Sequence, residues 1–334
     1  MIPVTAANSA NFKRINRKVI LEALRSHEQL CVSDVSRMTS LSIATCANTL
    51  REMVEAGEAL SLETRKSHGG RPARFFAYNS DHFLVASFFL KSDKKDPYLM
   101  YYLCNADCEI VDSGTVESAN IEMRDIESTL GQLLAKYPNI RSAAISVPGS
   151  VKNCTVDFCD IPSFAGVNVE YPIKSAYGLE VVADNDMNFA AAGYFRQCPD
   201  SNISGLAYML FPREYSYMGA GIIANGLLVQ GKTNYAGELS RIPLVKRDEK
   251  DLSKEALAQY IAEVAVAVTA VINPDVIILS GEIISNDMLP IIRQACLAYI
   301  PAKHLPEFGF RPEYEKDSLA GMVSLALDKA MSAV

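Results

Sequence analysis

No apolar run in this chain reaches the ~18–20 residues that a membrane-crossing helix needs, and the first fifteen residues are polar, without a signal-peptide core. Neither a spanning nor a secreted protein is expected, no membrane partner either, and the expected compartment is cytoplasmic. Paired cysteine patterns are missing as well. The eight cysteines, at 31, 46, 104, 108, 154, 159, 198 and 296, include no Cys-x-x-Cys, and a reducing compartment keeps such residues as thiols. The spacings of Cys104/Cys108 and Cys154/Cys159 match no closed zinc pattern and have no histidine nearby, so they read as scattered buried thiols rather than metal ligands.

Positive charge is in deficit overall, with 32 Lys+Arg against 39 Asp+Glu and a net −7. The deficit is uneven. Residues 1–80 hold eleven Lys/Arg against seven Asp/Glu, which leaves 21 against 32 for the remainder, so a head of +4 precedes a body of −11. That asymmetry suits a phosphate-binding module attached to something that is not one. A soft prior of ~100–200 residues per domain makes 334 residues two or three domains.

The head has the pattern of three helices and a hairpin. Val19, Ile20, Ala23 and Leu24 form the stripe of an amphipathic helix over Asn16–Ser26. Ser33 is placed to cap a short second helix that stops before Thr39-Ser40-Leu41, and Ser42 to cap a third ending at Gly57. On the third, Cys46, Leu50, Met53 and Val54 share an inner face. Thr45, Ala47, Asn48 and Arg51 then point outward, the small, polar and basic set that a major groove accepts. Ala59–Glu63 and Arg74–Tyr78 can pair as strands of a wing. The connection 65–74, with Lys66, Gly69-Gly70 and Arg71-Pro72, carries four positive charges and no negative one, so it can set Arg71 in a narrow A·T-rich minor groove. The pattern is that of a winged helix-turn-helix over residues 1–80; a bare protein-interaction module is the alternative that the cationic wing disfavours.

From residue 83 the chain alternates: three strand-like segments, a helix and a strand, then a second, varied round of the same. This is the mark of a duplicated α/β unit, the two-lobed actin-like or ribonuclease-H-like architecture, over residues 81–334.

Ordered motifs make a resemblance specific. Asn16-Arg17 through Leu24, Leu41-Ser42-Ile43-Ala44-Thr45 and Gly69-Gly70-Arg71-Pro72 are followed by Val147-Pro148-Gly149, Asp184-Asn185-Asp186-Met187-Asn188, Gly219-Ala220-Gly221, Ala236-Gly237-Glu238-Leu239 and Asn273-Pro274-Asp275. Over about residues 12–330 the chain resembles transcriptional regulators of the ROK family, which joins repressors and sugar kinases, and most of all its N-acetylglucosamine and xylose repressor type. The resemblance implies an effector cleft built by Gly149, Asn185, Asp186, Glu238 and Arg241, and an operator surface built by Ser42, Thr45, Ala47, Asn48, Arg51, Lys66 and Arg71. It also implies a homodimer on an inverted repeat and a small sugar or sugar-derived effector.

Two family features are missing from the sequence. The glycine-rich phosphate loops have no counterpart near Phe88–Ser92 or at Pro212–Tyr217, where bulky residues and a glutamate stand, and backbone amides need glycine to approach a triphosphate. The family's zinc histidine is replaced by Arg241 and its cysteine cluster by Lys246–Asp251. Neither cofactor nor metal is expected, and no enzymatic activity; the alternative is a sugar kinase with Asp186 as base. Asn185 and Asp186 also fit an ordinary helix cap. Arg241 either holds an anionic group of the effector or pairs with Glu238 or Asp186 and closes an unused site, and its sequence leaves both open.

Overall fold

Helix α1 (Ser9–Arg25) starts seven residues before the expected Asn16 and buries Ile20, Leu21, Ala23 and Leu24, with Leu21 in the core and Val19 only half-buried. The computed structural model describes residues 9–63, 73–92, 96–118, 120–198, 203–213, 218–243 and 253–333. These divide into two units, Met1–Phe83 and Leu84–Val334.

In the first unit, strand β1 (Leu30–Cys31) runs straight into helix α2 (Val32–Thr39). The capping position is therefore Cys31 and not Ser33, because pairing of β1 with β3 holds Cys31 extended at the point where the helix begins. Asp34 reaches back to accept the Cys31 amide at 3.2 Å, and hydrogen bonds from Cys31 hold its carboxyl below the usual value. Ser40, in the left-handed region at φ 58°, ends α2. Helix α3 (Ile43–Glu55) starts where Ser42 Oγ accepts the Thr45 amide at 3.1 Å. Its inner face is Cys46, Thr49, Leu50 and Met53; Thr49 takes the core position expected for Val54, which is only half-buried. Strands β2 (Ala59–Ser61) and β3 (Phe75–Tyr78) pair antiparallel, and β1 completes a sheet of order β1-β3-β2.

The second unit is built twice from one plan. Strands β4 (Leu84–Lys91), β5 (Tyr98–Cys104) and β6 (Ile110–Glu117) form an antiparallel meander. Helix α4 (Met123–Lys136) leads to β7 (Ile140–Val147), parallel to β4, and after a hairpin of β8 (Gly149–Lys152) and β9 (Thr155–Cys159), helix α5 (Glu170–Tyr177) leads to β10 (Glu180–Asn185). Helix α6 (Asp186–Arg196) follows. The second round has the meander β11 (Leu206–Leu210), β12 (Gly219–Ala224) and β13 (Leu227–Leu228), then helix α7 (Lys254–Ile272), strand β14 (Val276–Ser280), helix α8 (Leu289–Cys296), strand β15 (Glu307–Arg311) and helix α9 (Glu315–Ala333). The sheet orders, β6-β5-β4-β7-β10 and β13-β12-β11-β14-β15, are equivalent position for position. Strand β15, which completes the second round, has the burial pattern of a half-exposed edge strand and no clear alternation to announce it.

Helix α7 corrects one expectation: by length and composition it is apolar enough to cross a membrane. Its apolar face is instead spent inside the second lobe, where Ala258, Ile261, Ala262, Val264, Ala265 and Val268 pack with Ile277, Leu279 and Ile292.

Candidate functional site

Open α/β sheets gather their sites at the carboxyl ends of the parallel strands, and three such ends meet here: Lys91 closes β4, Val147 closes β7, and Asn185 closes β10. The chain turns from β7 into the β8–β9 hairpin at Gly149, where a Cβ would stand 2.0 Å from the Phe158 carbonyl oxygen, so only glycine fits. The Gly149 carbonyl accepts the Asn185 side-chain amide at 3.2 Å. Asn185 is also the cap of α6, its Oδ1 accepting the Met187 amide at 2.7 Å. It therefore caps α6 and at the same time ties that helix start to the Gly149 turn.

Asp184, 6% exposed, is the anchor beneath. Its carboxylate accepts the Asn185 amide and the Asn188 side chain, each at 2.8 Å, and Gln230 Nε2 from the second lobe at 2.8 Å. The segment after β13 is tied to the first lobe twice more, by Asn234 donating to the Val151 carbonyl and by Lys152 donating to the Lys232 carbonyl at 3.1 Å. These bonds tie the two lobes together beside Asp184.

Asp186 follows, with burial pushing its carboxyl up; the Lys91 ammonium and the Tyr314 hydroxyl pull it back down. Lys91 donates to Tyr314 Oη at 3.0 Å and to Glu315 at 3.2 Å. Glu238, which begins the short turn Leu239–Arg241, is also raised by burial, with Arg241 opposing and the charges of Asp160 and Asp186 adding to the rise. Asp160 is itself raised by burial. The cleft thus holds a set of carboxylates that feel one another, with one nearly buried ammonium among them.

Arg241 is exposed, and among the described residues no carboxylate lies within ion-pair distance of its guanidinium. Its charge reaches Glu238 through space only. Among the described residues no group of three His, Cys, Asp or Glu is placed to hold a metal ion. The segment 246–251, where the zinc element of relatives would sit, lies outside the described residues, as do 214–217 of the second phosphate-loop region. Beside that region, Arg213 pairs with Glu282 at 2.9 Å.

The parallel strand ends, the Asp184–Asn185–Asp186 cap and the Gly-Glu turn meet in one cleft, and residues 97–253, which hold most of it, match the model of the ROK family. Residues 97–253 carry a ROK family domain. Over 258 residues, 72% of this chain, it is 25% identical to a xylose repressor of Caldicellulosiruptor bescii, of whose length the match spans 62%. The crystal structure of a ROK family transcriptional regulator, a homologue of the E. coli MLC protein, matches with a TM-score of 0.73 at 19% identity, over 96% of this chain and 98% of that one. A ROK family glucokinase from Streptomyces griseus in complex with glucose and AMPPNP matches with a TM-score of 0.53 at 16% identity, over 73% of this chain and 99% of that one. At these identities the two structures establish the fold.

Of the ROK cleft residues expected from sequence, Gly149, Asn185, Asp186 and Glu238 come together, with Arg241 at the rim. Lys91, Asp160, Gln230 and Tyr314 were not legible: they lie 26 to 128 positions from Asp186, and only the fold brings Lys91 and Tyr314 to Asp186, Gln230 to Asp184 and Asp160 to Glu238. In the head, Asn48 and Arg51 are exposed on α3, while Thr45 and Ala47 are half-buried and the Thr45 hydroxyl is bonded to Ser42 Oγ at 2.8 Å. Lys66 and Arg71 lie outside the described residues.

Proposed function

We propose that this chain is a sequence-specific DNA-binding transcriptional regulator, a repressor, whose kinase-like cleft binds a sugar or sugar-derived effector. The observation that carries the reading is coverage: the ROK regulator structure pairs with 96% of the chain, the ROK glucokinase with 73%, and the difference is close in size to the head. Residues 1–80 are read as a winged helix-turn-helix with its wing at 65–74, and 81–334 as the effector-binding and dimerisation domain of a cytoplasmic homodimer. Asn48 and Arg51 would meet base edges or neighbouring phosphates, with Ser42, Thr45 and Ala47 beside them; Lys66 and Arg71 would follow the backbone and minor groove.

In the cleft, Asn185, Asp186 and Glu238 offer an amide and two carboxylates, the groups that bind vicinal hydroxyls by paired donation and acceptance. The several carboxylates favour a neutral sugar on the floor. An anionic substituent would have to reach the rim, where Arg241 stands unpaired among the described residues. Lys91 supports the non-enzymatic reading: a base that takes a proton from a sugar hydroxyl works poorly beside a fixed ammonium that stabilises its charge. The competing reading, a sugar kinase with Asp186 as base, rests on the matching position of Asp186.

One set of measurements separates them. The full chain should enrich a duplex from a random DNA pool, should gain thermal stability with a subset of sugars, sugar phosphates and uronic acids, and should transfer no phosphate from ATP to hexoses, aminosugars or pentoses. Phosphorylation that disappears in Asp186→Asn would establish the kinase instead. For Arg241, calorimetry with Arg241→Ala decides: equal binding of a neutral sugar by both proteins ends the anionic-effector idea and leaves the regulator reading intact.

A further inference from the structure

The exposed face of α3 begins with carbon. Ile43, the first residue of the helix, is 61% exposed, and Ala44 beside it is exposed too. Ala47 follows one turn later, then the exposed Asn48 and Arg51. Single exposed aliphatic residues are common on protein surfaces and mean nothing alone. Here two exposed ones, with the half-buried Ala47 beside them, stand together on the first two turns of a helix whose other exposed residues are Asn48, Arg51 and, at its far end, Glu55.

The local hydroxyls are already engaged. Ser42 Oγ accepts the Thr45 amide at 3.1 Å and is bonded to the Thr45 hydroxyl at 2.8 Å. The polar groups nearest Ile43 are thus committed to building the cap. Charge at the N-terminal end of α3 complements a polyanion: Glu52 is paired with Lys13 at 2.8 Å and Glu58 with Arg17 at 2.7 Å, the exposed Glu55 lies at the opposite end of the helix from Ile43, and Arg51 has no ion pair among the described residues. The N-terminal end of a helix adds a positive dipole. A surface of this make-up, aliphatic first and cationic further along, matches one feature of the major groove, the C5-methyl group of thymine, which is read by apolar contact.

We infer that Ile43 reads a thymine methyl in the operator, with Ala44 and Ala47 small enough to let the first turns of α3 approach the base edges. The inference rests on the DNA-binding reading and deepens it. Asn48 and Arg51 supply the polar contacts, and Ile43 makes the protein choose thymine over cytosine or a methyl-free pyrimidine at one position of each half-site.

The test uses the full chain and a duplex that it has enriched from a random pool. Each thymine is replaced in turn by deoxyuridine, which removes the methyl group and nothing else. Wild-type affinity should fall about fourfold at one position per half-site, the effect of one methyl group no longer buried. Ile43→Ala should bind more weakly than wild type on the thymine duplex and lose sensitivity to that replacement; its side chain is exposed, and a melting curve checks that the fold is kept. If no position responds to uracil, or if Ile43→Ala responds as strongly as the wild type, Ile43 is no methyl reader, and DNA binding stands without it. If no duplex is enriched at all, the DNA-binding reading fails and this inference falls with it.

Discussion

The Lys91 ammonium, bonded to Tyr314 and Glu315, puts its charge on Asp186, whose carboxyl burial pushes up. Because the folded value lies above the unfolded one, the charged carboxylate costs stability above that value, and acidification through it relieves the cost. Lys91→Met removes the compensating charge. It should therefore destabilise the protein by about 1–3 kcal/mol near neutral pH, and urea melts should show a smaller loss at about pH 5 than at about pH 8; a loss equal at both would detach Lys91 from Asp186. The cysteines give a second prediction at this scale. Burial pushes the Cys104 thiol up to about 12 and those of Cys159 and Cys296 to about 11, and Cys46 and Cys154 are buried too. Only thiolates react. Cys31, Cys108 and Cys198, which are partly exposed, should be labelled promptly at about pH 8, and the other five only after denaturation.

Helices α6 and α9 approach so closely that side chains are excluded at their crossing. A Cβ on Gly321 would stand 2.0 Å from the Phe189 carbonyl oxygen, and one on Gly193 1.8 Å from that of Asp317. Helix α6 starts at Asn185 and Asp186, and α9 lies just after Tyr314, so this crossing fixes both sides of the Lys91–Asp186 contact. In an isolated helix, glycine to alanine is favourable by up to about 1 kcal/mol. Here Gly321→Ala should instead destabilise by about 1–3 kcal/mol through overpacking, seen in the midpoint of chemical denaturation; unchanged or raised stability would mean that the helices can separate freely. The cap of α3 is a milder case. Ser42→Ala should cost about 1 kcal/mol, and Ser42→Gly only a few tenths.

For the whole molecule the expectation is reciprocity. An effector that binds the DNA-incompetent state more tightly lowers DNA affinity by the factor by which DNA lowers effector affinity, commonly about 5–150-fold. Titrating the enriched duplex with and without a sugar found by thermal shift, and the sugar with and without duplex, should return the same factor; unequal factors would mean that the two ligands do not share one equilibrium. Two-fold operators match two-fold proteins, so light scattering at micromolar concentration should give a dimer, and a monomer there would remove the inverted-repeat expectation.

Local signals made much of this readable. Ser42 caps α3 through a hydrogen bond three residues long, the Asn185 cap uses its own next neighbours, and Asn273-Pro274-Asp275 ends α7 with Asn273 in the left-handed region while the Asp275 carboxylate takes the Ser204 and Gly205 amides at 2.7 and 2.8 Å. The repeated strand and helix pattern implied the duplicated unit because hydrophobic periodicity is a property of short windows. Strands β1, β8, β9 and β15 escaped for the opposite reason: each is defined by its partner across the sheet or hairpin and not by its own alternation. The apolar length of α7 likewise has no fixed meaning until packing assigns it to a core. Motif order identified Gly149, Asn185, Asp186 and Glu238, since each belongs to a short stretch. Lys91, Gln230 and Tyr314 carry no local mark: Lys91 and Tyr314 reach Asp186 only because parallel pairing of β4 with β7 and the crossing of α6 with α9 bring distant backbone there, and Gln230 reaches Asp184 from the segment after β13.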